Sequence, residues 1–297
     1  MQDLYICLDV GGTEIKGAVV QDDGVVPYGI KHFPSNSDFN KEDILSHFTD
    51  IVAALARQVP NCKISGLRLA FPGPFDYLNG VCYIKGLLKY DALYGVNLRE
   101  AFFESLSSQY SAILRHNFDI RFINDASAFA LGEANFGFAR HTDRSLCICI
   151  GTGCGSAFTT GKTLADSSVS NVPPNGYIYN QPFESGCVDD YISKRGLYRL
   201  SSEFLAQPLE GYELAQLAYQ GNENAKKCWE AFGVLLQNAL APSLLKFCPN
   251  CLVLGGQIAK SADLFTGSMQ SYCRSHDISF FISENTSLRT MQGLLLI

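Results

Sequence analysis

The chain of 297 residues is long enough for one large domain or two medium-sized domains. Its hydrophobic content of 47% and charged content of 18% are typical of a globular protein with a sizeable core. The formal net charge of −6 argues against nucleic acid as a partner, because phosphate backbones attract basic surfaces. The sequence shows neither a signal peptide nor a membrane-spanning apolar run, so we expect a cytoplasmic protein without a membrane partner.

Apolar periodicity and the positions of Gly and Pro predict the elements in chain order. In the N-terminal half, strands are predicted over residues 4–10, 14–20, 25–33, 64–71 and 120–123, and helices over 41–58, 98–106 and 126–136. The pattern then starts again, with strands over 146–150, 155–160, 252–254 and 279–282, and helices over 212–218, 224–246, from 258 onward and over 287–296.

The informative feature is this duplication. Each half opens with an apolar strand, a glycine turn and a second strand, and mixed α/β structure follows. Two such halves facing each other would place both glycine turns at one cleft. We therefore predict domains over 1–117 and 118–297, and leave open whether the final helix, 287–297, packs on the first domain.

The first glycine turn has residue types suited to phosphate binding. Gly11 and Gly12 allow backbone N–H groups to approach a phosphate closely, and Thr13 adds a hydroxyl donor. Asp9, at the end of the strand, can hold Mg²⁺ directly or through water, and Lys16 can supply charge to a transferring phosphoryl group. An ordinary hairpin with Gly-Gly at its turn explains the pattern equally well.

The second glycine turn, GTGCG at 151–155, matches neither common nucleotide motif. Ser156 stands where the dinucleotide fingerprint requires its last glycine and where a Walker A loop ending at Lys162 requires its first glycine. We interpret Lys162 as a turn residue. The turn can still hold phosphates through its backbone.

Asn124 and Asp125 lie where a strand leads into a helix. An Asp at this point is a good helix N-cap. It can also act as a general base that accepts the proton of a sugar hydroxyl attacking a γ-phosphoryl group, with Asn124 orienting the sugar or the base.

Two further segments end strands, and each has a simple structural explanation. The segment AFPGP at 70–74 can form a wall of a sugar pocket or merely end the strand. Gly255 and Gly256 can accept an adenosine. Cys248 and Cys251 have the CxxC spacing of zinc and redox sites, but without a second CxxC or paired His nearby we favour a structural role.

Together these segments resemble the ROK family (repressors, uncharacterised reading frames and sugar kinases). The similarity covers nearly the whole chain in family order, and it rests on LDVGGTEIKGAVV at 8–20, GLRLAFPGPFD at 66–76, INDASAFALGEANFG at 123–137, CIGTGCGSAF at 149–158 and VLGGQIAKS at 253–261. The resemblance implies an α/β protein with two actin-like (ribonuclease H-like) domains and a cleft between them, which uses ATP and Mg²⁺ and forms a homodimer.

The resemblance also implies roles for individual residues. Asp125 would be the catalytic base, with Asn124 and Gly73 near the sugar. The residues near metal and phosphates would be Asp9, Gly11, Gly12, Thr13, Thr152 and Gly153, and those near adenosine would be Gly255 and Gly256.

One segment, residues 175–193, departs from the family pattern. Tyr177 aligns with a sugar-binding Glu, Asn180 with a His, and Asp189 with a second Glu that is one methylene longer. Only Cys187 remains of the family's zinc cysteines, so we expect no structural zinc. The aromatic residues Tyr177, Tyr179 and Phe183 either pack against a sugar or fill the space of the missing zinc module.

The function we favour is ATP- and Mg²⁺-dependent phosphorylation of a sugar hydroxyl on a hexose or a hexose derivative. A second hypothesis is a sugar-sensing protein without catalysis, because the sugar-binding residues are altered. It would not bind DNA, since the chain begins directly on the first strand, without a helix-turn-helix. A third hypothesis is a related phosphotransferase with a different acceptor or phosphoryl donor.

Overall fold

The computed structural model describes residues 3–297, which form two compact units. The first unit comprises the chain up to Gly132 together with Ser287–Ile297, and the second comprises Glu133–Thr286. The division lies later than the boundary predicted at 117/118, because the strand Leu114–Ile123 pairs in parallel with Ile64–Ala70 of the first unit. The C-terminal residues from Ser287 onward are part of the first unit.

The first unit contains a five-stranded sheet in the order β3-β2-β1-β4-β7. The elements of this part of the chain are β1 (Leu4–Val10), β2 (Glu14–Gln21), β3 (Lys31–Pro34), α1 (Lys41–Ala56), β4 (Ile64–Ala70), β5 (Phe75–Asp76), β6 (Val81–Cys82), α2 (Leu98–Tyr110), β7 (Leu114–Ile123) and α3 (Asp125–Phe136). Short 3₁₀ turns lie at Asp91–Leu93 and Ser111–Ile113. Strands β1, β2 and β3 are antiparallel neighbours, whereas β1, β4 and β7 run parallel.

The second unit contains a five-stranded sheet in the order β10-β9-β8-β13-β14. Its elements are β8 (Arg144–Ile150), β9 (Cys154–Thr160), β10 (Thr163–Ala165), β11 (Pro182–Phe183), β12 (Gly186–Cys187), α4 (Val188–Tyr191), α5 (Lys194–Leu205), α6 (Gly211–Tyr219), α7 (Glu223–Phe247), β13 (Cys251–Gly255), α8 (Gly267–Ser275) and β14 (Ser279–Ile282). Further 3₁₀ segments lie at Pro174–Gly176 and Ile258–Leu264, and α9 (Thr286–Leu294) closes the chain.

The two sheets have the same topology, which confirms the predicted duplication. In each sheet an antiparallel three-stranded meander is followed by two strands that run parallel to its first strand. The glycine turns at 11–13 and 151–153 connect the first and second strands of the two meanders. Both predicted turns therefore occupy the same topological position.

Helices α3 and α9 approach each other closely within the first unit. A Cβ atom added to Gly132 would lie 1.8 Å from the Arg289 carbonyl oxygen, and one added to Gly293 would lie 1.8 Å from that of Ala128. Real Cβ contacts are never this short, so glycine is required at both positions. Met291 and Leu294 of α9 join Ala128 in a small core cluster against β1, β2 and β4.

Several predicted elements differ from the structure. The strand predicted over 25–33 begins only at Lys31, because residues 25–30 form turns in which Gly29 N–H donates to the Val26 carbonyl. The strand predicted over 120–123 extends back to Leu114, and the helix predicted from 258 is a 3₁₀ segment with a kink at Ser261. Helices α4, α5 and α8 were not predicted.

No helix within residues 3–297 combines the length and the apolar character needed to cross a membrane.

Candidate active site

The parallel strands of the first unit bring three predicted segments to one sheet edge. Asp9 of β1 is in register with Ala70 of β4, which is in register with Ile123 of β7. Neighbouring strands are about 4.8 Å apart, so the segments that follow these residues start side by side. They are the first glycine turn, the segment around Gly73 and the Asn124-Asp125 pair. Carboxyl ends of parallel strands are the usual ligand-binding edge of α/β sheets.

The carbonyl groups of the first glycine turn are all held by the protein. Ser35 and Ser37 both donate their hydroxyls to the Gly12 carbonyl, at 2.6 and 2.7 Å. The Tyr90 hydroxyl donates to the Gly11 carbonyl at 2.9 Å, and burial raises the pKa of this phenol, which keeps it a donor. These three anchors, up to 79 positions from the turn in sequence, were not predicted.

Only one of the three backbone amide groups of the same turn is hydrogen-bonded within the described part of the protein. Gly11 N–H donates to the Glu14 carbonyl at 2.9 Å and closes the turn. The N–H groups of Gly12 and Thr13 have no hydrogen-bond acceptor among the residues that the structure describes. Two adjacent free amides in a turn whose carbonyls are anchored elsewhere form a site suited to an anion.

Asp9 and Lys16 face each other across β1 and β2. Their Cα atoms are register partners, and Lys16 Nζ lies 3.8 Å from Asp9 Oδ2 and donates to Ser287 Oγ at 3.0 Å. Burial raises the pKa of Asp9 to about 6, and the nearby Asp125 charge acts in the same direction, while Lys16 partly offsets both. The carboxylate therefore lies where a cation would stabilise its ionised form.

Asn124, rather than Asp125, caps helix α3. Asn124 Oδ1 accepts from the N–H groups of Ala126 at 3.0 Å and of Ser127 at 3.3 Å. Asp125 is the first helical residue; its Oδ1 accepts from Ala126 N–H at 2.9 Å, and its side chain is exposed. The N-cap alternative for Asp125 is thereby replaced by Asn124, and an Asp125 oxygen remains available for a substrate proton.

Gly73 follows β4 in an exposed position, at the Gly73–Pro74 peptide bond, which is cis. The segment is held from below by Tyr77, whose hydroxyl donates to the Phe71 carbonyl at 3.0 Å.

The second glycine turn, in the second unit, also has hydrogen-bonded carbonyl groups and two amides without a partner within residues 3–297. The Gly151 carbonyl accepts from Lys194 N–H at 2.9 Å, and the Gly153 carbonyl accepts from Gly151 N–H at 2.9 Å. Cys154 N–H donates to Asp189 Oδ1 at 2.6 Å. In the described residues the Thr152 and Gly153 N–H groups donate no hydrogen bond. Each unit therefore has a turn with two adjacent free amides.

The Asp189 carboxylate contacts both the second glycine turn and α5. Besides the Cys154 amide, its carboxylate forms an ion pair with Arg195 of α5, and its carbonyl accepts from the Ser193 hydroxyl at 2.6 Å. In this arrangement Asp189 fixes the end of the second glycine turn. The substrate contact implied for it by the alignment stays a prediction.

Gly255 and Gly256 lie beside the second turn. Gly255 ends β13 in register with Cys149, and Gly256 N–H donates to Thr286 Oγ1 at 3.0 Å. Gly256 has a φ of +94°, and a Cβ there would lie 2.3 Å from the Ile150 carbonyl oxygen. This contact alone demands glycine, and it places the pair next to the strand that enters the turn.

A family model described as the ROK family matches residues 5–290. The chain belongs to the ROK family. An N-acetyl-D-glucosamine kinase of Haemophilus influenzae is 25% identical over 274 residues, which are 86% of this chain and 84% of that protein.

Solved structures agree on the fold, the two-domain actin-like α/β fold of ROK kinases. A ROK hexokinase from Thermus thermophilus has a TM-score of 0.75 at 20% identity over 100% of this chain and 97% of its own. A ROK glucokinase from Streptomyces griseus, solved with glucose and AMPPNP, has a TM-score of 0.73 at 18% identity over 98% and 97%. A ROK transcriptional regulator, homologous to the Escherichia coli MLC protein, has a TM-score of 0.73 at 17% identity over 99% and 80%.

The segment that departs from the ROK pattern is ordered around aromatic rings. The rings of Tyr177 and Tyr179 lie 5.5 Å apart, and Asn180 is exposed in a turn closed by Gln181 N–H donating to the Ile178 carbonyl. Cys187 Sγ donates to Asp190. Contacts of Tyr177 and Asn180 with substrate stay predictions.

The CxxC cysteines differ in their surroundings. Cys251 is buried in β13, where burial raises its pKa to about 12, whereas Cys248 is exposed and its thiol donates to the Leu245 carbonyl. Over the described part of the chain there is no group of three or more His, Cys, Asp and Glu side chains that could hold a metal ion.

Proposed function

We propose that this ROK protein transfers the terminal phosphoryl group of ATP to a hydroxyl of a hexose or hexose derivative, in a Mg²⁺-dependent reaction. The observation that supports this most directly is the edge of the first sheet. There, the free amides of Gly12 and Thr13 follow β1 and an exposed Asp125 carboxylate follows β7, and these two parallel strands are separated only by β4.

In this mechanism the residues of the first unit act on the attacking hydroxyl and on the transferring group. Asp125 accepts the proton of the sugar hydroxyl while the hydroxyl oxygen bonds to the γ-phosphorus. The bond between the γ-phosphorus and the β,γ-bridging oxygen breaks, which releases ADP. The amides of Gly12 and Thr13, with the Lys16 ammonium, stabilise the charge on the equatorial oxygens. Asn124 and Gly73 line the sugar side. In the second unit, Thr152 and Gly153 contact phosphates, and Gly255 and Gly256 contact adenosine.

Asp9 fits a role as the Mg²⁺ ligand. Its carboxylate is partly buried with a raised pKa, and Lys16 at 3.8 Å is too distant for a direct hydrogen bond. Mg²⁺ is usually held by one or two carboxylates together with phosphate oxygens and water. The ion would neutralise phosphate charge in the reaction.

The relatives indicate where to look for the acceptor. Since the curated kinase from Haemophilus influenzae acts on N-acetyl-D-glucosamine, as its name states, N-acetylhexosamines are the acceptors to test first. Replacement of the family Glu and His by Tyr177 and Asn180 supports a sugar preference different from that of ordinary glucokinases. We also propose that the protein is a cytoplasmic homodimer, which sedimentation of the purified protein would test.

The experiment is ADP release by the purified protein with Mg²⁺ and ATP across hexoses, N-acetylhexosamines, pentoses and glycosides. One sugar should give clear sugar-dependent turnover, and Asp125→Asn should lower kcat by about 10²- to 10⁴-fold with sugar and ATP binding retained. Glu223→Gln is the matched control, because Glu223 is also the first residue of a helix but lies in α7 of the second unit.

Two outcomes would contradict the proposal. Full turnover by Asp125→Asn would rule out the base assignment. Sugar binding without ATP turnover by the folded protein would favour the sugar-sensing alternative. A donor panel that includes polyphosphate tests whether ATP is the phosphoryl donor.

A further inference from the structure

A second lysine lies on the first glycine turn, and neither the sequence motifs nor the family resemblance assigns it a role. The side chain of Lys89 covers the Cα of Gly12. A Cβ atom placed on Gly12 would lie 2.8 Å from Lys89 Cδ and 3.6 Å from its Cβ. The ammonium group is two bonds beyond Cδ. It is therefore within reach of a group bound to the amides of Gly12 and Thr13.

The backbone next to Lys89 is fastened to the same turn. The buried Tyr90 donates its hydroxyl to the Gly11 carbonyl at 2.9 Å and its N–H to the Ser37 carbonyl at 2.6 Å. Ser37 in turn donates its hydroxyl to the Gly12 carbonyl. The position of Lys89 relative to the turn is thus set by hydrogen bonds on the residue that follows it.

This placement requires an unfavourable backbone conformation. Leu88 and Tyr90 have φ values of +56° and +55°, in the left-handed region that bulky side chains rarely adopt. Leu88 is also 90% exposed, so burial of its side chain does not offset the cost of this backbone conformation. Left-handed residues of this kind concentrate at ligand-binding sites, where the surrounding contacts hold them.

The Lys89 ammonium has no anionic partner among residues 3–297. Lys16, in contrast, faces Asp9 and donates to Ser287. The Lys89 side chain is half-buried, whereas the nearby Lys85 is exposed and lies over the Tyr94 ring at 5.0 Å. A half-buried cation without a partner beside two unpaired amides is a combination that fits a phosphate.

We propose that Lys89 binds the terminal phosphoryl group of ATP at the first glycine turn. The inference rests on the proposed kinase function and adds a substrate-contacting residue to it. The phosphoryl group passes from the β,γ-bridging oxygen of ATP to the sugar oxygen, and the Lys89 side chain contributes positive charge beside the equatorial oxygens.

The test compares Lys89→Met and Lys89→Arg with the wild type and with Lys85→Met as the matched control. ATP and ADP affinities are measured by titration calorimetry, and kcat and KM by ADP release at saturating sugar. Lys89→Met should reduce kcat/KM for ATP by about 10- to 100-fold and weaken ATP binding, with ADP affinity changed less than about twofold. Lys89→Arg should retain most of the activity, and Lys85→Met should match the wild type.

Three results would overturn the inference: wild-type ATP kinetics in Lys89→Met, equal losses of ATP and ADP affinity, or an effect confined to the KM for sugar. The last result would place Lys89 on the acceptor side. Circular dichroism of each variant checks the fold, and a misfolded Lys89→Met would be replaced by Lys89→Gln. Failure of the kinase function itself is distinct, because the wild type would then show no sugar-dependent turnover.

Discussion

Replacement of Asp9 by Asn is expected to stabilise the protein near neutral pH while it abolishes phosphoryl transfer. Burial raises the pKa of Asp9 from 3.8 to about 6. At 1.36 kcal/mol per pKa unit, the ionised carboxylate destabilises the folded state by about 3 kcal/mol above pH 6. Because 22% of the side chain is exposed, solvent screening reduces this figure, and we expect a gain of about 1–3 kcal/mol for Asp9→Asn.

The pH dependence of this gain follows from proton binding. Between pH 3.8 and about 6 the folded protein keeps a proton on Asp9 that the unfolded chain has released. The stability of the wild type therefore falls, through this group, as the pH rises across that window. Below pH 3.8 both states are protonated, and the contribution is constant. Asn cannot ionise, so the advantage of the variant should grow as the pH rises from about 4 to above about 6.

The assay is urea unfolding in EDTA-containing buffer, at about pH 4.5 and about pH 7.5, followed by circular dichroism. Asp50→Asn is the control, because Asp50 is an exposed carboxylate on α1, and its removal should change the unfolding free energy by less than about 0.5 kcal/mol at either pH. The reasoning is refuted if Asp9→Asn is no more stable than the wild type at the higher pH, or if its gain is the same at both. A gain in stability with loss of turnover would indicate a site where function is maintained at the expense of stability.

Two further predictions concern the packing of α3 against α9 and the hydrogen bond that holds the second glycine turn. Gly132→Ala should lower the unfolding free energy by about 3 kcal/mol, because its Cβ would lie 1.8 Å from the Arg289 carbonyl oxygen. Gly267→Ala, where a Cβ meets no atom within 4 Å, should change it by less than about 1 kcal/mol in the same urea titration, and equal effects of the two would contradict the close approach of α3 and α9. Asp189→Asn should raise the KM for ATP several-fold without changing that for sugar, because the carboxylate holds the Cys154 amide at the second turn. A change confined to the KM for sugar would instead support the substrate contact implied by the family alignment.

The fold class and the duplication were predictable from the sequence. Runs of apolar residues that end at Gly or Pro define central strands, and the predicted bounds of β1 and β14 agree with those in the structure. In the predicted order of elements, the Gly12 turn and Asp125 each come directly after a strand of the N-terminal half. Local sequence carries this information because strand burial and glycine turns depend mainly on neighbouring residues.

Elements with weak or misleading local patterns were not predictable in the same way. Residues 25–30 are apolar enough to suggest a strand but are turns, and α5 was missed although it has an apolar face that packs in the core. Helix α4 has only four residues, too few for periodicity to emerge.

The residues that anchor the two glycine turns could be identified only from the tertiary structure. Ser35, Ser37 and Tyr90 hold carbonyls of the first turn from 23, 25 and 79 positions away in the sequence, and Asp189 holds the second turn from 35 positions away. Serine, tyrosine and aspartate at such separations have no local pattern that connects them to a glycine turn. The sequence alone determined which residues form the turns. Folding decided which carbonyl groups are occupied, and hence which amides are left free to bind an anion, because hydrogen-bond partners depend on proximity in space.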